Sequence, residues 1–206
     1  MEVITTGPSS VLAREQVPEC PQGFLGLPVE IRDQIFELVV VRQQTTITML
    51  SNYDCHRSEV SACQPAISMV NHQLRAETLP IFYSMNLFLA EVSDRTDLMT
   101  AKRWLEAIGD GNIRCLRRLA LCGWTRVPFG HMVSKRWVKI VLDVKEGRME
   151  VEGPSLEPGI HYHVNTAIDE LKDSFKNMVE ASENRRLDGK SVASLMAGFN
   201  SLCTIY

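Results

Sequence analysis

The sequence predicts an α+β (mixed α/β) domain in which an N-terminal helical segment packs on a small mixed sheet and helices close the chain. Three observations carry this reading. Apolar residues recur at helical spacing near both ends of the chain, period-two alternation occupies its middle, and 206 residues with 45% hydrophobic content suffice for one substantial core. Helices first, then strand and helix in alternation, then helices again is an order that fits a mixed fold best.

Residues 1–23 carry Gly7, Pro8, Pro18, Pro21 and Gly23 among small polar residues, which reads as a flexible leader. Pro28 suits the first turn of a helix, where a missing N–H costs nothing, and Ile31, Ile35, Leu38 and Val39 recur at i, i+4, i+7 and i+8. This predicts a first amphipathic helix at about 28–41. On burial tendency, Ile31, Ile35 and Leu38 read as core. Thr45-Thr46-Ile47-Thr48 suggests a short strand, followed by a polar loop. Pro65 opens a second predicted helix, about 66–79, with Ile67, Val70 and Leu74 facing one way. Pro80 is expected to break or kink it before Ile81-Phe82-Tyr83, whose aromatic rings are expected to fill space between helices and sheet.

Leu87 to Val92 reads as a mostly buried strand. Leu98, Ala101, Leu105 and Ile108 then mark a third helix with Gly109 as its natural stop. Leu119 and Leu121 alternate with Arg118 and Ala120 in a strand. Val138, Ile140, Leu142 and Val144 alternate in another, and Glu146-Gly147 turns into Met149 and Val151 as a hairpin. Beyond the loop at 153–159, Ile168, Leu171, Phe175, Met178 and Val179 mark a long helix opened by Asn165 or Thr166 with Asp169 in capping range. Val192, Leu195, Met196 and Phe199 mark a final helix.

Twenty-two Lys and Arg against 25 Asp and Glu give a formal charge of −3 and a pI near 6.0, so nothing global attracts the chain to nucleic acid or a membrane. Residues 1–20 lack the basic stretch and apolar run of a secretory signal, and no apolar run approaches the ~18 residues of a spanning helix. An intracellular protein, cytoplasmic or nuclear and without membrane contact, is expected. The scattered Cys20, Cys55, Cys63, Cys115, Cys122 and Cys203 read as reduced thiols in such a compartment.

Chemistry-bearing motifs are sparse. Cys55-His56, Cys63, His72, Cys115 and Cys122 lack the close spacing of zinc ligands, and His161-Tyr162-His163, read as an extended segment, puts two imidazoles on one side without a third ligand. No nucleophile elbow, phosphate-cradling glycine loop or dinucleotide fingerprint occurs. The expectation is a non-enzymatic protein with no metal and no cofactor.

Two segments point instead to docking. Leu27-Pro28-Val29-Glu30-Ile31-Arg32 followed by Ile35 resembles the opening of the F-box, a helical module that inserts apolar side chains into the Skp1 adaptor of ubiquitin ligases. Taken with Asn71-His72-Gln73-Leu74-Arg75-Ala76-Glu77-Thr78-Leu79-Pro80-Ile81-Phe82-Tyr83, the chain is similar to the fungal F-box-like group known as the two-EXR domain family, over residues 24–92. Residues 93–206 read as the remaining α/β part of the same domain. The resemblance implies a protein partner, a Skp1-type adaptor, met by Leu27, Pro28, Ile31 and Ile35, in a substrate adaptor whose later part recognises another protein.

Two electrostatic expectations come from the residues themselves. Among Glu30, Arg32, Arg75 and Glu77, an Arg–carboxylate pair is expected to clip the first two helices together. Between Gly111 and Leu142 there is no Asp or Glu, while Arg114, Arg117, Arg118, Arg126, Lys135, Arg136 and Lys139 are interleaved with Trp124, Phe129 and Trp137. This region is the candidate for contact with an acidic protein or, as the lesser alternative, nucleic acid. The plain competing account is that these cations solvate one face of a sheet.

Overall fold

The computed structural model describes residues 23–42, 47–48, 62–129, 131–152 and 162–204. Apart from Gly23, the expected leader lies outside the described residues, as do Cys55, His56 and His161. The fold is α+β. Among the described residues five strands lie in sequence order, β1 (Ile47–Thr48), β2 (Leu87–Glu91), β3 (Arg118–Phe129), β4 (Met132–Asp143) and β5 (Arg148–Glu152). The first three are parallel and the last three form an antiparallel meander. Parallel neighbours need a crossover, and helices supply it: α2 (His72–Met85) lies between β1 and β2, and α3 (Arg95–Ile113) between β2 and β3. Antiparallel neighbours need only a turn. Asp143 makes the β4–β5 turn by accepting from the Glu146 N–H at 3.0 Å, and Gly147 completes it at φ 66, where a side chain would be strained.

α5 (Gly189–Thr204) lies against β3 and is flanked by α3 and α4 (Tyr162–Ala181). The period-two signal sets this contact. Leu119, Leu121, Val138, Ile140 and Leu142 are buried in one continuous core with Phe175, Leu195, Met196 and Phe199. At Gly123 the helix comes so close that a Cβ would stand 2.8 Å from Cys203 Sγ. Two further bonds fasten it, Thr125 Oγ1 donating to the Leu202 carbonyl at 3.0 Å and Asn200 Nδ2 to the Val92 carbonyl at 2.9 Å. The rings of Phe82, Tyr83, Phe88 and Trp104 knit α2, β2 and α3 together, as expected of the Ile81-Phe82-Tyr83 segment.

Several local expectations are corrected. The second helix starts at His72, capped by Asn71 accepting from the Leu74 N–H at 2.8 Å, and residues Ala66–Met69 form a separate 3-10 turn. It also runs through Pro80 to Met85. Pro80 is exposed while Leu79, Phe82 and Tyr83 around it are buried, so packing holds the helix together despite the missing hydrogen bond. Gly109 does interrupt the third helix, at φ 75, yet one more turn follows to Ile113. α4 begins at Tyr162, which puts Asn165 and Thr166 inside its first turn and makes Tyr162 and His163 helical, not extended.

Candidate functional site

α1 (Val29–Val40) is anchored along one stripe. Arg32, Phe36 and Val40, four residues apart, are its buried positions. The Arg32 guanidinium donates from Nε to Glu77 Oε2 at 2.9 Å and from Nη2 to Glu77 Oε1 at 2.7 Å, a two-pronged clamp onto α2. Its third nitrogen, Nη1, donates to the carbonyls of Leu27 and Leu25 at 2.5 and 3.2 Å, which fixes the segment leading into the helix. Gln73 Nε2 adds a bond to Glu77 Oε1 at 3.0 Å. The Arg32 hydrogen bonds, helped by Gln73, hold the Glu77 carboxyl below the usual carboxylate range, and Glu77 in turn pushes the Arg32 guanidinium up. The expected clip between the two helices is therefore Arg32 to Glu77. Arg75 instead donates to Gln64 Oε1 at 2.8 Å.

The opposite side of α1 is apolar as well. At 3.6 residues per turn, Ile31 and Leu38 lie about 140–160° around the axis from Phe36. Ile31 is 42% exposed and Leu38 84%, so the expectation that they belong to the core is wrong for both. Ile35 is half-buried beside them, Leu27 is 37% exposed, and Pro28 and Val39 are also at the surface. The helix carries more apolar residues than one buried stripe can use; Phe36 and Val40 take the inner side and the remainder faces outward. A shared stripe of this kind differs from the scattered single apolar residues that every surface shows.

The basic region does not form one surface. Arg118 and Arg126 are eight residues apart on β3, about 26 Å along a strand. Register places Arg126 opposite Lys135, Cys122 opposite Lys139 and Trp124 opposite Trp137, whose rings meet edge to face at 5.1 Å. Arg136 sits opposite Thr125, which bonds α5, so alternation sends it to the helix-bearing side of the sheet. Lys139 pairs with Glu152, and Arg117 lies 3.5 Å from both Asp143 and Glu146. Arg114, Arg117 and Arg118 gather at the beginning of β3 with Lys145, Arg148, Arg185 and Arg186. The sequence reading missed those last four: Lys145 and Arg148 lie just past the acid-free stretch, beyond Asp143, and Arg185 and Arg186 arrive from the distant α4–α5 connection. The side chain of Phe129 lies outside the described residues.

Among the described residues, no three His, Cys, Asp or Glu side chains gather as metal ligands would, and no helix is long and apolar enough to cross a membrane. Burial pushes the Cys203 thiol up to about 12, far from the range in which a thiolate attacks at neutral pH. No family model, curated protein or solved structure matches the chain.

Proposed function

We propose that this protein is a non-enzymatic, intracellular interaction module of the F-box-like, two-EXR type, which docks a Skp1-type adaptor through the outward side of α1 and so acts as a substrate adaptor of a ubiquitin ligase. The observation that carries the reading is the exposed row of Leu27, Ile31 and Leu38 beside half-buried Ile35, on a helix already anchored to the core by other residues. A helix held to the core by Arg32, Phe36 and Val40 can offer its outward apolar side chains to a partner's groove. Arg32 supports the same reading, since by gripping the Leu25 and Leu27 carbonyls it sets the Leu-Pro entry in one orientation. The alternative, a stand-alone domain that binds an acidic protein or nucleic acid along 114–139 as one surface, has weaker support because those cations divide between two ends and two sides of the sheet.

A pull-down with purified Skp1-type adaptor tests the proposal. The wild-type chain is expected to be retained, and Ile31→Asp and Leu38→Asp each to abolish retention while their thermal unfolding stays close to the wild-type midpoint. An adaptor complex that survives both substitutions removes the proposal.

A further inference from the structure

At one end of the sheet, the α3–β3 corner, the β4–β5 turn, the α4–α5 connection and the last turns of α2 enclose a cleft of about 830 Å³. Six arginines and one lysine line it against only Asp143 and Glu146, in a chain whose formal charge is −3. Those two carboxylates are occupied by Arg117 and by Arg148, which stands 3.0 Å from Glu146. The remaining cations, Arg114, Arg118, Lys145, Arg185 and Arg186, make no ion pair among the described residues. Two of them are nevertheless held in place. Arg118 Nη2 donates to the Met85 carbonyl at 2.9 Å and Arg185 Nη1 to the Lys145 carbonyl at 3.0 Å, contacts that orient a guanidinium without neutralising it. Arg185 is carried there on a left-handed backbone, φ 52, next to Asn184 at φ 57.

Like charges spread over a surface repel less than like charges gathered in a concavity, and these five lack the carboxylates that would quiet them. A multivalent anion supplies that charge from outside. We propose that this cleft binds a phosphomonoester carried on a peptide. Guanidinium forks match the oxygens of a phosphate dianion, and an arginine that spends one N–H on a carbonyl keeps four others to donate. Ligand sites of roughly 300–1,000 Å³ are usual, so the volume admits a phosphorylated side chain with its neighbours. No aromatic side chain lines the cleft, whereas single-stranded nucleic acid is held by stacking its bases on such rings. The Trp124–Trp137 pair stands farther along β3 and β4, outside it. This site lies apart from α1 and does not rest on adaptor docking.

The test uses the full chain and fluorescence anisotropy with a labelled degenerate-sequence peptide pool containing one phosphoserine, its serine counterpart, and a single-stranded RNA pool, with inorganic phosphate as competitor. Arg114→Glu/Arg186→Glu reverses two exposed cations of the cleft, and Lys135→Glu/Arg136→Glu reverses two exposed cations of the β3–β4 hairpin. The expected result is a preference of about tenfold or more for the phosphorylated pool, lost in the first double variant and kept in the second. Equal binding of the two peptide pools, a preference that persists in Arg114→Glu/Arg186→Glu, tighter binding of the RNA pool, or complete displacement by equimolar inorganic phosphate overturns the proposal.

Discussion

Arg32 joins three pieces of chain with one side chain: α1 that bears it, α2 through Glu77, and the Leu25–Leu27 entry through two carbonyls. Its partner titrates. Because the folded Glu77 carboxyl sits below its ordinary value of about 4.3, the stability it contributes is fully present above that value and is lost as pH falls through the depressed one. Glu77→Gln is therefore expected to lower the midpoint of thermal unfolding by several degrees at pH 7, with the gap to wild type closing as the buffer is acidified below pH 4. A gap that stays constant from pH 7 to pH 3 would contradict the role given to the carboxylate. Gly123 is a second residue with a defined job. A methyl group there would meet Cys203 Sγ at 2.8 Å and Phe199 and the Ser93 backbone at 3.3 Å. Gly123→Ala is expected to cost about 1–3 kcal/mol in denaturant unfolding, and adding Cys203→Ala to recover part of it, because the two positions share one space.

α1 has two apolar sides, one buried and one exposed, and mutation separates them. Phe36→Ala, at a ring with 0% exposure, is expected to remove about 3–5 kcal/mol of stability. Leu38→Asp, at a side chain 84% exposed, should change stability by no more than about 0.5 kcal/mol, as read from urea midpoints. In α2, Pro80 deprives the Ala76 carbonyl of its usual donor, so Pro80→Ala is expected to stabilise the protein by up to ~3 kcal/mol without altering its helix content by circular dichroism. These helices also show where sequence reading succeeds and where it stops. That an Arg–carboxylate pair would clip the two helices was legible because a guanidinium fork selects a carboxylate; which of the candidate pairs forms was not. Leu38 was misread because periodicity shows that a helix is apolar on a stripe and not which stripe meets the core; that is settled by Phe36 and Val40, which are buried on the helix that packs against α2. Of the break or kink expected at Pro80, the break does not occur, because Phe82 and Tyr83 bury enough to carry the helix past one absent bond.

On the scale of the whole molecule, the strands at Leu119–Leu121 and Val138–Val144 and the hairpin into β5 were readable from local alternation, since a strand face is set by every second residue, whereas the long pairing of β3 with β4 across residues 122–137 was not. The cleft was not. A run of seven basic residues looked like one surface, but a strand spreads neighbours in sequence over tens of ångströms, and the topology brings Arg148, Arg185 and Arg186 to the end where Arg114, Arg117 and Arg118 begin β3. The protein thus has two unlike surfaces set apart by construction, an apolar row on α1 and a basic cleft at the sheet's end. One partner is proposed for each surface, an adaptor at the apolar row and a phosphopeptide at the basic cleft. Amide hydrogen exchange of the full chain with and without a purified Skp1-type adaptor is the most direct measurement of the claim that α1 is the docking helix. The account predicts protection over residues 27–39 and unchanged exchange at the β4–β5 turn and residues 184–186. An adaptor that leaves residues 27–39 exchanging as in the isolated chain would contradict it.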